Sequence, residues 1–263
     1  MPAAAHRPVV LITGAARRIG LAIALDLAER GFDIAIHYRQ SREAAEAAVA
    51  AIERLGARAV ALPGDLAKHE DVERLVPSCC AVLGAPSVLV NNASEFQPDS
   101  VGSTSLESWN AHLDINLRAP VFLAQDLVRH LPAGREGNII NIIDQRVWKL
   151  TPEFFSYTLS KAGLWTATRT LAQALAPRVR VNAIGPGPVL KSIHQTDADF
   201  AAEVASTLLR RGPSTQDIAA AVRFILDAPA MTGQMIALDG GQHLTWTEGE
   251  HNPANSGPST DPV

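Results

Sequence analysis

The segment Val9-Val10-Leu11-Ile12-Thr13-Gly14-Ala15-Ala16-Arg17-Arg18-Ile19-Gly20 decides how the rest of the chain is read. Four apolar residues with strong β preference run into a glycine turn, and an amphipathic helix follows over residues 20–30 before Gly31 closes it. A strand, a tight turn and a helix N-terminus in that order leave backbone amides free to approach a pyrophosphate. They also aim the positive end of the helix dipole at it. Only Gly14 and Gly20 are glycines, so the strict G-x-G-x-x-G spacing is absent. On these residues alone, a dinucleotide-binding turn and a plain strand-to-helix turn both remain open.

The same alternation continues along the chain. Strands are expected at residues 32–37, 59–62, 87–90, 138–143, 178–183 and 235–238, and helices at 44–55, 71–83, 106–130, 155–175 and 215–226. Short apolar runs separated by helix-length segments predict repeated βαβ units. The fold class is therefore α/β, a single doubly wound parallel sheet with helices on both faces. No break in composition divides the chain, so residues 1–246 are read as one domain. Residues 190–211, after Gly185-Pro186-Gly187-Pro188, read as a substrate flap (within about 188–212), the alternative being an ordinary surface helix and loop. Residues 247–263 are polar and rich in Pro, Ser, Asn and Glu, which predicts a disordered tail.

Composition excludes several functions. Of the 263 residues, 47% are hydrophobic and 19% charged, enough apolar surface for a core and too little charge for an unfolded chain. The net charge of −4 argues against a general nucleic-acid binder. No apolar run approaches the roughly 18 residues of a membrane span, and residues 1–8 lack the apolar core of a secretory signal. Neighbouring Cys79 and Cys80 are poor disulfide partners and fit a reducing compartment. A soluble cytoplasmic protein without a metal site is the expectation.

The end of the second strand bears on the cofactor. In the common NAD pattern an acid there binds the ribose 2′-hydroxyl. This chain instead has Ile36-His37-Tyr38-Arg39-Gln40-Ser41, with Arg17 in the first turn. A 2′-phosphate would repel an acid and be held by Arg, Ser and amide donors, so the expected cofactor is NADP(H). Asp33 is the competing acid, but it opens the second strand instead of closing it.

Tyr157 and Lys161 lie four residues apart in a helical pattern, which puts both on one helix face. An ammonium near a phenol lowers its pKa toward that of a working proton donor. Taken alone, such a pair is usually a surface contact. It is accompanied here by Thr13-Gly14…Gly20, Gly64-Asp65-Leu66, Asn91-Asn92-Ala93, Asn116, Arg180-Val181-Asn182 and Asp239-Gly240-Gly241. With these landmarks the chain resembles the short-chain dehydrogenase/reductase family over residues 7–244.

The resemblance implies a Rossmann-type fold and an oxidoreductase. It places Gly14, Arg17, Arg18, Ile19 and Gly20 around the cofactor, with His37, Tyr38, Arg39 and Ser41 at the end of the second strand. Asp65 and Leu66 would sit at the adenine, and Asn91, Ala93 and Ser94 at the ribose and backbone of the cofactor. Pro186 and Gly187 would line the nicotinamide. Tyr157 would be the acid, Lys161 would bind the nicotinamide ribose while tuning Tyr157, and Asn116 would hold a water in a proton relay. Asn116 read blandly is a helix-kink residue, and Asn91 with Asn92 a loop-stabilising pair. The resemblance also implies a homotetramer in which helices 106–130 and 155–175 pack between subunits. Trp246 would then either close a neighbour's pocket or serve as a buried anchor.

The departures from the family pattern carry the most information. Asp144 stands thirteen residues before Tyr157, where a serine usually polarises the substrate carbonyl. Arg18 replaces the middle glycine of the first turn, and Ser94-Glu95-Phe96 follows Asn-Asn-Ala where a glycine is usual. A carboxylate repels the alkoxide that would develop on a carbonyl substrate and suits one presenting N–H donors. Arg18, Ser94, Phe96, Asp144, Tyr157 and Lys161 together resemble the pteridine reductase branch. That branch implies a small-molecule pterin stacked on Phe96, with Arg18 at its carbonyl side or at a cofactor phosphate. The bland alternatives are Phe96 in the core, Arg18 in solvent and Asp144 as a structural cap. The expected reaction is NADPH-dependent reduction of a dihydropteridine of biopterin, monapterin or folate type. The rivals are an NADP-dependent carbonyl reductase, such as a 3-oxoacyl reductase, and a non-catalytic NADP-binding protein.

Overall fold

The computed structural model describes residues 7–246, so the expected disordered tail lies outside the described residues. β1 (Val9–Ile12) is apolar and fully buried, and the sheet grows outward from it. β2 (Asp33–Tyr38) and then β3 (Ala59–Pro63) add on one side. β4 (Val88–Asn91), β5 (Gly137–Ile142), β6 (Val179–Pro186) and β7 (Met235–Leu238) add on the other, all parallel, in the order β3-β2-β1-β4-β5-β6-β7. The order reverses between β1 and β4, which opens a crevice at the carboxyl ends of these strands, where such sheets bind their ligands.

Strand alternation divides the core into two layers. Val10, Ile12, Ile34 and Ile36 pack with Ile23 and Leu27 of α1 (Arg18–Glu29), Ile52 of α2 (Arg42–Arg54) and Val222 of α8 (Thr215–Asp227). On the opposite face, Val9, Leu11 and Leu89 pack with Leu75 of α3 (His69–Val82), Leu123 of α5 (Ala119–His130) and Ala172 of α6 (Phe155–Leu175). Covering both faces explains why the strands are almost continuously apolar.

One departure from the sequence reading matters for the site. The helix expected over residues 106–130 is broken into α4 (Leu106–Leu113), a π turn (Asp114–Arg118) and α5. The cause is Pro120: lacking an N–H, it cannot bond the carbonyl of Asn116 four residues back, and the backbone widens there. The segment over residues 190–211 contains a helix of its own, α7 (Asp197–Ala205), begun by a reciprocal Thr196–Asp199 capping box. β6 also runs on to Pro186, because its end pairs with Leu238 of β7. Among the described residues no helix is long and apolar enough to cross a membrane. No three metal-ligating side chains gather among them either, and both cysteines are free thiols.

Candidate active site

The first turn is built by hydrogen bonds that join the ends of β1 and β4. The Thr13 hydroxyl accepts from the amides of Asn92 and Ala93, each at 3.0 Å, and the Asn92 side chain donates to the carbonyls of Thr13 and Gly14 at 2.9 and 3.1 Å. Gly14 has φ +62°, and a Cβ on Gly20 would stand 2.6 Å from Asn92 Nδ2 and 2.7 Å from the Gly14 carbonyl. Both positions require glycine. The amide of Gly14 donates to His37 Nδ1 at 3.1 Å, which leaves His37 Nε2 to donate to the Gly64 carbonyl at 3.0 Å. His37 is thus neutral and protonated on Nε2, and burial lowers its pKa to about 4.

This turn forms one wall of a cleft of about 410 Å³. Arg17, Arg18, Ile19, His37, Arg39, Ser41, Asp65, Leu66, Ala93 and Ser94 line it, together with the two glycines. Tyr38 and Asn91 do not. Tyr38 belongs to the α1–α2 core layer, because alternation along β2 sends it to the face opposite His37. Asn91 is buried, and its Nδ2 donates to Asn141 Oδ1 at 2.8 Å. Its neighbour Asn92 takes the position at the cleft and stabilises the turn.

A second cavity, of about 560 Å³, adjoins the first, with Arg18, Ile19, Asn92 and Ser94 common to both. Tyr157, Lys161, Asp144, Phe96, Pro186 and Gly187 converge on it. The Tyr157 hydroxyl donates to Asp144 Oδ2 at 2.8 Å, while Oδ1 accepts the amide of Arg146 at 2.8 Å and caps the short 3₁₀ turn Gln145–Val147. Asp144 is therefore both a cap and a partner of the phenol. Burial, reinforced by the Asp144 carboxylate, raises the Tyr157 pKa well above the usual phenol range. Burial also raises the pKa of Asp144. Lys161 is 2% exposed, and burial lowers its pKa to about 8. Its ammonium donates to the Ile142 carbonyl at 2.9 Å and lies 5.8 Å from the centre of the Tyr157 ring. The lowering of the phenol pKa expected from Lys161 is not found: burial and Asp144 raise it, and the groups that oppose them are Arg146, through its charge, and Ser94, through a hydrogen bond.

Around this pair the structure supplies parts that the sequence did not mark. Phe154 stacks on Phe96 with ring centroids 4.4 Å apart, and Phe96 presents its plane at a steep angle to Tyr157. Phe96 is consequently half of an aromatic pair instead of a lone platform, and Phe154 holds left-handed backbone (φ 53°) to complete it. Arg18, also left-handed at φ 56°, donates through Nη2 to the carbonyls of Leu190 and Lys191, each at 3.1 Å. It links the first turn to the segment over residues 190–211, which contributes Leu190, Ser192, His194, Gln195, Phe200 and Glu203 to the cavity. Asn116 lies behind the wall. Its side-chain oxygen accepts the Glu95 amide at 2.8 Å, and its Nδ2 donates to the Glu95 carbonyl and to Ser160 Oγ. Both side-chain N–H groups of Asn116 are thereby taken up within the protein. Trp246 is 63% exposed and is not an internal anchor.

The family model described as enoyl-(acyl carrier protein) reductase matches residues 14–243. The chain is a short-chain dehydrogenase/reductase. Among curated relatives of this reductase, the 3-oxoacyl-[acyl-carrier-protein] reductase FabG of Staphylococcus epidermidis is 31% identical over 239 residues, covering 89% of this chain and 98% of the relative. Among solved structures, FolM alternative dihydrofolate reductase 1 of Brucella suis in complex with NADP is 48% identical, with TM-score 0.89 and coverage of 95% and 98%. A short chain dehydrogenase of Burkholderia cenocepacia in complex with NADP is 34% identical, with TM-score 0.85 and coverage of 89% and 97%. The Rossmann-type sheet of this reductase is the one these structures share.

Proposed function

We propose that this protein uses NADPH to reduce a dihydropteridine to its tetrahydro form. The observation that carries the reading is the 2.8 Å contact between the Tyr157 hydroxyl and the Asp144 carboxylate, at the place where a carbonyl reductase uses a neutral hydroxyl. Support comes from the 48% identity to the FolM alternative dihydrofolate reductase 1 of Brucella suis, itself solved with NADP.

The cofactor fits the residues present. Arg17, Arg39 and Ser41 border the cleft beyond β2, where no carboxylate closes the strand, and the absence of a side chain on Gly20 lets the turn that walls the cleft close tightly against Asn92. Gly14, Ala93 and Ser94 would hold the middle of the cofactor, Asp65 and Leu66 its adenine, and Lys161, Pro186 and Gly187 its nicotinamide end. When bound, NADPH supplies a hydride to the ring carbon of a C=N bond.

The matching proton must reach the adjacent ring nitrogen, and Tyr157 is placed to deliver it. A phenol held this far above its usual pKa releases its proton only to a nitrogen made strongly basic by the arriving electrons, which couples the two transfers. Asp144 accepts the hydrogen bond of the phenol and so orients its proton, and solvent returns a proton to the phenolate after the transfer. Its carboxylate accepts N–H donors from the pterin, while the Phe96–Phe154 pair borders the flat ring. Lys161 stays charged below its pKa of about 8 and offsets the negative charge of the Tyr157–Asp144 pair.

Asp144→Ser should lower pterin turnover by about two orders of magnitude or more, the scale of losing a stabilising group at the reacting atoms. Steady-state rates with dihydrobiopterin and dihydrofolate, beside a panel of ketones, give the test. Unchanged pterin turnover in the variant removes Asp144 from the chemistry. Brisk ketone reduction with no pterin turnover favours the 3-oxoacyl reductase reading, which the names of the 31%-identical relatives support.

A further inference from the structure

The cleft proposed for NADPH contains a charge that opposes it. Glu95 stands on the wall facing the end of β2, and its side chain is only 19% exposed. Its Oε2 lies 3.6 Å from Nη1 of Arg39, the half-exposed cation that the NADPH reading assigns to the 2′-phosphate. The carboxylate is not a loose surface group. Oε1 accepts from Gln97 Nε2 at 2.8 Å, and the Glu95 backbone is clamped at its amide and its carbonyl by the side chain of Asn116. A fixed carboxylate repels the negative charges that this cleft must accept, and here its nearest cation is Arg39.

We propose that Glu95 is an internal competitor for Arg39: it holds the guanidinium when no 2′-phosphate is present, and it thereby sets how strongly the protein prefers NADPH over NADH. The inference rests on the NADPH reading. Binding of NADPH exchanges one anionic partner of Arg39 for another, so part of the attraction to the phosphate is cancelled by the ion pair that is lost. NADH, which lacks the phosphate, leaves the pair in place.

Equilibrium titration of the full chain with NADPH and with NADH, followed by nicotinamide fluorescence, tests this in the wild type, Glu95→Gln, Arg39→Gln and the double variant. Glu95→Gln should tighten NADPH binding by about three- to tenfold at low salt, the scale of a partly exposed ion pair plus the repulsion removed with it. NADH should change by less than about twofold. The gain should shrink as salt screens the pair, and shrink again in the Arg39→Gln background. Weaker binding of either cofactor by Glu95→Gln would overturn the proposal, because Glu95 would then be a ligand, for example to a ribose hydroxyl. Equal tightening of both cofactors, or no change, overturns it as well. A wild-type protein without preference for NADPH sinks the cofactor reading itself, before any variant is compared.

Discussion

His37 shows how one side chain ties the cofactor turn to the stability of the fold. Both of its ring nitrogens are used, one accepting from Gly14 and one donating to Gly64, and this pattern exists only for the neutral ring. Its pKa lies at about 4 in the folded state against 6.5 for a free histidine, so folding excludes a proton that the unfolded chain binds. The sign follows: the folded state has its full stability above pH 6.5, loses it as the pH falls toward about 4, and loses no more from this group below that. At 1.36 kcal/mol for each tenfold change, the loss amounts to about 3 kcal/mol. Urea denaturation across pH 4–7 should show this slope in the wild type, and His37→Gln should flatten it. Equal slopes would mean that another group governs acid sensitivity.

Among the elements, α6 carries Tyr157 and Lys161, and its start is fixed from outside the helix. Phe154 at its N-terminus makes no side-chain cap. Asp99 fills that role from the loop between β4 and α4: its oxygens accept the Ser156 amide at 3.1 and 3.3 Å and the Ser156 hydroxyl. Although burial pushes the Asp99 carboxyl up, the hydrogen bonds from Ser156 and Thr104 hold it below the usual range. The chain of bonds continues through His112, whose Nδ1 lies 2.7 Å from Ser156 Oγ while Nε2 accepts the Gln97 amide at 3.0 Å. One buried relay therefore joins the start of α6 to the loop bearing Phe96. Asp99→Ala should cost about 1–3 kcal/mol in urea denaturation, as for a lost cap that leaves buried donors unsatisfied. It should lower kcat more than it raises KM, because Tyr157 loses its position. An unchanged kcat in a destabilised variant would confine Asp99 to folding.

For the whole molecule, we infer a homotetramer in which α5 and α6 meet partner subunits. Phe122 and Leu159 are large apolar side chains exposed at 36% and 40% on these two helices. Light scattering after size exclusion should return the mass of four 28.0 kDa chains, and Phe122→Asp with Leu159→Asp should reduce it. A wild-type mass of one chain would refute the assembly. The parallel sheet was legible at this scale because its buried strands are unmistakably apolar and regularly spaced, and the site was legible where a residue type is rare. Tyr157 is one of two tyrosines, and Asp144 departs from an otherwise matching pattern. The broken helix was equally written in Pro120, whose missing N–H acts locally, although the periodicity around it suggests continuity.

Local chemistry thus determined the βαβ alternation, the glycine turn, the absence of an acid at the end of β2 and the Tyr157–Lys161 spacing. Each depends on neighbours a few residues apart, where backbone geometry alone fixes the outcome. The tertiary structure alone decided that Asn92, and not Asn91, faces the cleft, that Phe154 completes Phe96, and that Arg18 reaches Leu190. It also decided that Arg39 faces Glu95 and that Asp99 caps a helix 57 residues away. These contacts join distant segments that only packing brings together, and the burial that moves the pKa values of His37, Tyr157 and Lys161 exists only once that packing has formed.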